Sequence, residues 1–218
     1  MDLLIVAKRP DPGRVKTRLI GWAGADGAAA LAAAALADTF DAARQSRADR
    51  VIVAFDGDPS GVVPDDIHVV PQCAGDLADR LTDAWRHVSP PTFQIGMDTP
   101  QLSAADLDAA MDRLDQPGTD AVLGPAEDGG WWGIGLRHRH DDVFGGIATS
   151  RSDTGANQAA RLDALGLVTG ALPLRRDVDH PPDAVAVAAV APGTRFATAV
   201  HDILARSPLP PLTSPTAR

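Results

Sequence analysis

A single cysteine, Cys73, stands in the 218 residues, which excludes an intramolecular disulfide framework and any multi-cysteine zinc or iron–sulfur site; its expected place is that of a small, half-buried side chain. Long apolar runs are missing too. The densest alanine stretch, Ala28 to Ala37, is shorter than the roughly 18 residues a membrane span requires and only weakly apolar. No basic region precedes the apolar start Met1-Asp2-Leu3-Leu4-Ile5-Val6, which reads as a first strand rather than a leader and points to a cytoplasmic protein without a membrane partner. Positive charge is scarce: 20 basic against 29 acidic residues leave a net charge of −9, which argues against a nucleic-acid partner, because phosphate backbones need a broad basic face.

What is present is ordinary in amount and informative in order. Hydrophobic residues make up 44% and charged residues 22%, enough to bury a core of one α/β domain. Apolar runs at Leu3 to Ala7, Val51 to Phe55, Ile67 to Val70, Phe93 to Met97 and Ala121 to Leu123 are bounded by Gly, Pro or Asp and predict buried strands. Between them Gly27 to Gln45, Asp76 to His87, Ala104 to Leu114 and Asn157 to Leu165 have helical spacing, with Ser103 as a cap and Gly166 as a stop. This alternation predicts a mostly parallel sheet with helices on both faces. Residues 129–147 interrupt it and read as strand and loop crossing the sheet edge. One domain over 1–206 is expected, followed by a proline-rich, disordered tail over 207–218.

Residues 1–19 reverse the overall charge, with Lys8, Arg9, Arg14, Lys16 and Arg18 against Asp2 and Asp11. Lys8 and Lys16 are the only lysines in the chain, and an ammonium does a different job from a guanidinium. The loop from Ala7 to Leu19 follows the first strand, at the edge where open α/β sheets bind ligands. It lacks the glycine that a P-loop places before its Lys-Thr pair, so Lys8, Arg14, Lys16 and Arg18 would hold phosphates by their side chains.

Carboxylates end two other segments. Asp98 closes the strand Phe93-Gln94-Ile95-Gly96-Met97, and Asp177 and Asp179 share a face if their segment is extended. Together they make the oxygen-rich set that Mg²⁺ or Mn²⁺ favours; as alternatives, Asp98 is a cap and the other two a solvated turn. In Glu127-Asp128-Gly129-Gly130-Trp131-Trp132, the paired glycines permit close approach to a ligand. Either acid can serve as base or turn former, and one of the tryptophans can stack on a ring while the other faces the core. His138 and His140 read as surface residues.

Taken together, Ala7-Lys8-x-Pro10-x-Pro12-Gly13-Arg14-Val15-Lys16-Thr17-Arg18-Leu19, Asp38-Thr39, Gly96-x-Asp98-x-Pro100, Gly124-Pro125-Ala126-x-Asp128-Gly129-Gly130 and Asp177-Val178-Asp179 resemble a bacterial transferase family of glycosyltransferase-A-like fold, associated with radical-SAM and selenium-domain proteins. The basic loop is also similar to that of phospholactate guanylyltransferase. The resemblance spans roughly residues 3–183 and implies the α/β/α sandwich of the nucleotide-diphospho-sugar transferases. It also implies a metal held by Asp98 and Asp179, with Asp177 as alternative.

These readings converge on a metal-dependent transferase. The first expectation is nucleotidyl transfer from a nucleoside triphosphate to a small phosphorylated acceptor, with Lys16, Asp98 and Asp128 as catalytic residues and Gly129, Gly130 and Trp131 in the acceptor pocket. Glycosyl transfer from a nucleotide sugar is the alternative, and a non-catalytic nucleotide-binding module is the second.

Overall fold

Seven runs of aliphatic and β-branched residues pair into one sheet in the computed structural model, which describes residues 1–149 and 151–209. They are β1 (Asp2–Lys8), β2 (Arg50–Asp56), β3 (His68–Pro71), β4 (Thr92–Gly96), β5 (Ala121–Pro125), β6 (Trp131–Leu136) and β7 (Thr169–Ala171). Their order is β3-β2-β1-β4-β6-β5-β7. Only β6 runs against its neighbours, being antiparallel to β4 and to β5. β1 pairs in parallel with both β2 and β4, so the chain leaves β1 towards one edge of the sheet and returns to its other side. That reversal opens a crevice at the carboxyl ends of β1 and β4.

Helices α1 (Ile20–Gln45), α2 (Leu77–Ala84), α3 (Ala104–Asp115), α4 (Thr154–Ala164), α5 (Pro181–Val190) and α6 (Arg195–Arg206) complete the α/β architecture. One core lies between the sheet and the helices α1 and α3, where Leu3, Ile5, Phe40, Phe93, Leu107 and Met111 are buried. A second, on the opposite face, gathers Leu4, Ile52, Leu81, Trp85, Ile134 and Phe144. A third joins α1 to α5 and α6 through Trp22, Leu31, Val187, Phe196 and Val200.

The expected strands and helices are found within a few residues of their bounds, and the exceptions have local causes. Ser103 caps α3 in a reciprocal pair with Asp106, and Gly166 ends α4 with φ +73°. Residues 129–147 do not cross the sheet edge: β6 is enclosed between β4 and β5. The first long helix begins seven residues before the expected Gly27, with a break at Gly24 (φ 74°, ψ 168°). Together with its leading turn it spans Thr17–Gln45, whose most apolar window has mean hydropathy 1.5 and would pass for a membrane span by length and composition. In the fold, Ala29, Ala32, Leu36 and Phe40 face the sheet, whereas Trp22, Ala28, Leu31 and Ala35 face α5 and α6. Of the proposed tail, the Ser207 carbonyl accepts from Trp22 Nε1 at 2.8 Å and Leu209 packs on the third core. Residues 210–218 lie outside the described residues.

Candidate active site

The crevice between β1 and β4 is walled by three segments that hydrogen bonds tie together. Val178 N–H donates to the Asp98 carbonyl at 2.9 Å, which fastens the segment holding Asp177 and Asp179 to the end of β4. Lys16 donates from Nζ to the Val178 carbonyl and lies 2.5 Å from Asp98 Oδ1, which fastens the basic loop to both. To reach them, Lys16 adopts a left-handed backbone (φ 46°), the only non-glycine residue among those described to do so. Arg18 pairs with Asp179 at 2.5 Å.

Two cavities meet at these ion pairs. The larger, about 820 Å³, lies over the carboxyl ends of β1 and β4 and the amino end of the antiparallel β6, and extends to α2 and α4. The smaller, about 230 Å³, is lined by Lys8, Val15, Lys16, Thr17, Ala32 and Met97. Arg18, Asp98 and Asp179 line both. Of the basic loop, Lys8, Lys16 and Arg18 therefore reach the site. Arg14 is exposed and lines neither cavity. Arg9 is turned away by Asp11 and by the carbonyls of Asp58 and Ser60.

Asp177 is the buried acid of the site. It accepts from Thr99 Oγ1 at 2.9 Å. Burial is the main cause that pushes its pKa up to about 7; the neighbouring Asp98 and Asp128 carboxylates add to the rise, while Thr99 and Lys16 oppose it. Asp128 accepts from Gly130 N–H at 2.8 Å, which forms the turn, and it lines the large cavity. Glu127 is engaged by Arg176 at 2.5 Å.

The double glycine departs from expectation. The close approach that Gly129 permits is to its own chain: at φ +88°, a Cβ there would lie 1.9 Å from the Ser152 carbonyl oxygen. Gly155 N–H donates to Gly129 O at 2.8 Å, which completes a backbone clasp between the β5–β6 turn and the start of α4. Gly130 and Trp131 still line the cavity. The adjacent tryptophans divide as strand geometry demands. Trp131 is half-buried and stacks on Phe144 (centroids 6.4 Å apart, 27° between planes). Trp132 is 3% exposed, donates to the Pro173 carbonyl at 2.9 Å and meets Phe93 edge-on.

Among the described residues there is no cluster of three or more metal-ligating side chains. The donor set nonetheless suits a cation that takes one or two carboxylates and completes its shell with substrate phosphate and water, as Mg²⁺ does. Asp98 and Asp179 are 50% and 37% exposed and carry oxygen donors on the cavity wall. Sequence reasoning missed two buried glutamines, Gln94 and Gln158, which line the same cavity. Gln94 was hidden in a run read as a plain strand, and Gln158 in a helix.

The chain belongs to the family described as "Uncharacterized protein conserved in bacteria (DUF2064)", whose model matches residues 26–151. No curated protein matches the sequence. Among solved structures, the fold is similar to that of a protein from Desulfovibrio desulfuricans G20 provisionally named a nucleotide-diphospho-sugar transferase (24% identity, TM-score 0.83, covering 94% of this chain and 95% of that one). It is also similar to the manganese complex of Rv0371C from Mycobacterium tuberculosis H37Rv (22% identity, TM-score 0.52, 88% and 98% covered). A third likeness is to CMP:2-keto-3-deoxy-manno-octonic acid synthetase in complex with CTP (13% identity, TM-score 0.56, 87% and 97% covered). At these identities the likeness establishes the fold alone, the α/β sandwich that these proteins share.

Proposed function

We propose that residues 1–206 act as one divalent-metal-dependent transferase domain, moving a nucleotidyl group from a nucleoside triphosphate to a small phosphorylated acceptor. The observation that carries this reading is the meeting of a small cavity walled by Lys8, Lys16 and Arg18 with a large one at Asp98 and Asp179. Phosphates fit the first, and the remainder of the nucleotide with the acceptor fits the second.

In this reaction an acceptor phosphate oxygen attacks the α-phosphorus, the bond to the bridging oxygen breaks, and pyrophosphate leaves with the electron pair. Lys8, Lys16 and Arg18 stabilise the leaving charge. Asp128, which lines the large cavity, orients the acceptor. Charge counting supports the need for a metal. The two cavities are lined by five basic side chains (Lys8, Lys16, Arg18, Arg151, Arg176) and six acidic ones (Asp98, Glu127, Asp128, Asp177, Asp179, Asp183). Such a wall has no surplus positive charge for a polyphosphate. Mg²⁺ or Mn²⁺, held by Asp98 and Asp179 with Asp177 as the alternative, would neutralise phosphate oxygens and draw charge from the leaving group.

One observation favours glycosyl transfer instead: the fold neighbour with TM-score 0.83 bears the name of a nucleotide-diphospho-sugar transferase. The similarity of the basic loop to that of phospholactate guanylyltransferase favours nucleotidyl transfer. A thermal-shift panel of nucleoside triphosphates and nucleotide sugars, with and without Mg²⁺ or Mn²⁺, separates the two. A ligand at about 100 times its dissociation constant adds about 2.7 kcal/mol, a shift of roughly 5–11 °C in a domain of this size. The expected result is a metal-dependent shift with one triphosphate. A shift confined to a nucleotide sugar and its diphosphate would make the protein a glycosyltransferase.

A further inference from the structure

Two glutamines inside the large cavity have their amide orientations fixed, and in opposite senses. Gln94, on β4, is 2% exposed and accepts from Trp85 Nε1 through Oε1 at 2.5 Å. An indole N–H only donates, so oxygen must face Trp85 and the amide nitrogen is left over. Gln158, on α4, is 1% exposed and donates from Nε2 to the Val143 carbonyl at 3.0 Å. A carbonyl only accepts, so here nitrogen is consumed and Oε1 is left over.

Neither leftover atom has a hydrogen-bond partner among the described residues. The fully buried side-chain atoms without a partner are Gln101 Oε1 and His140 Nδ1. The free atoms of Gln94 and Gln158 therefore open onto the cavity that both residues line. Each amide thus presents to the cavity one polar group that the fold leaves unused, a donor on Gln94 and an acceptor on Gln158, for a ligand to take in place of water.

The surroundings favour a flat ring. Trp131 stacks on Phe144, and Phe144 in turn packs against the Trp85 that holds Gln94. Val6 and Leu81 add apolar wall. Sugar hydroxyls would satisfy the amides but waste these surfaces. Gln94 lies on β4 and Asp98 just beyond its end, and Gly96 between them lines the cavity without a side chain to fill it.

We propose that Gln94 and Gln158 form a nucleobase-reading subsite, the first donating to a ring acceptor and the second accepting from a ring N–H or amino group. Trp85 is its positioning residue, since its indole N–H decides which end of the Gln94 amide faces the ligand. The inference rests on the nucleotide reading above and assigns the end of the cavity where the base is recognised.

Calorimetric titration of ATP, CTP, GTP, UTP and inorganic tripolyphosphate, all with Mg²⁺, tests it on wild type, Gln94→Leu and Gln158→Leu. The double variant Gln94→Leu/Trp85→Phe removes both partners of a buried hydrogen bond and so leaves no orphaned indole N–H to unfold the protein. The expected result is about tenfold weaker binding of the preferred triphosphate in each variant, a narrowed preference among bases and unchanged tripolyphosphate affinity. Unchanged triphosphate affinities in the single and double variants would overturn the subsite, as would a parallel loss for tripolyphosphate. If wild type holds no nucleotide more tightly than tripolyphosphate, the nucleotide reading itself fails and takes the subsite with it.

Discussion

Lys16 and Asp98 form an ion pair with unequal surroundings: Nζ and Oδ1 are 2.5 Å apart, the lysine side chain is 7% exposed and the aspartate 50%. The buried partner therefore serves the exposed one. Lys16 holds the carboxylate at the cavity wall while spending a second hydrogen bond on the Val178 carbonyl. A cation placed this way has a structural and an electrostatic task at once. Lys16→Met, which keeps the stem and deletes the ammonium, is expected to lower stability by about 1–3 kcal/mol without ligand and to weaken triphosphate binding more than monophosphate binding. Chemical denaturation and titration measure the two effects. Equal losses for mono- and triphosphates would show that Lys16 does not touch the outer phosphates.

Asp98→Asn separates charge from shape. The amide oxygen still accepts from Lys16, so the unfolding midpoint is expected to change by only a few degrees, while metal-dependent stabilisation by the nucleotide and turnover are lost. Retained turnover would remove Asp98 from the metal site.

Asp177 makes the stability of the metal-free protein depend on pH with a definite sign. Its pKa is about 7 in the fold against the ordinary 3.8 of an aspartate in the unfolded chain. The folded state thus binds the proton more tightly than the unfolded chain. This group's favourable contribution is complete below about pH 4 and is lost as pH rises through about 7, amounting to a few kcal/mol. Asp177→Asn keeps an acceptor for Thr99 Oγ1 and removes the titration. Relative to wild type it is expected to be more stable at pH 8, with the difference shrinking towards pH 4. Urea unfolding at pH 4, 6 and 8 measures this, and a difference independent of pH would rule out a buried, titrating Asp177.

The elements that sequence made legible are those in which one local rule decides. Buried parallel strands such as β1 and β2 read as apolar runs, and Ser103 and Gly166 announce the ends of helices by their own chemistry. The loop of Lys8, Lys16 and Arg18 and the acid Asp98 could be placed at one sheet edge, because each follows a strand, and Asp177 and Asp179 could be read as sharing a face. Which cations face the ligand could not be read, since that depends on long-range partners: Asp11 and two carbonyls draw Arg9 away, and Lys16 turns inward through an unusual backbone angle. Gly129 was legible as a close-approach glycine but not its neighbour, because Ser152 is brought to it only by the clasp with α4. The glutamines were illegible for a related reason. A buried amide acquires meaning only from the partners, Trp85 and the Val143 carbonyl, that consume one of its ends.

The adjacent tryptophans both border the large cavity but differ in how deeply they belong to the core. Trp132 fills space beside Gly124, where a Cβ would come within 2.4 Å of the indole, and its Nε1–H is spent on Pro173. Trp132→Ala opens a cavity and frees that carbonyl, so a loss of about 3–5 kcal/mol is expected. Trp131 has one ring face on Phe144 and lines the ligand cavity, so Trp131→Ala removes less buried surface and is expected to cost about 1–2 kcal/mol while weakening the binding of whatever ring the cavity holds. Denaturation curves for the two variants, read beside nucleotide titrations, give the comparison. Equal stability losses with unchanged binding would mean that both indoles belong to the core and that the cavity wall at β6 takes no part in recognition.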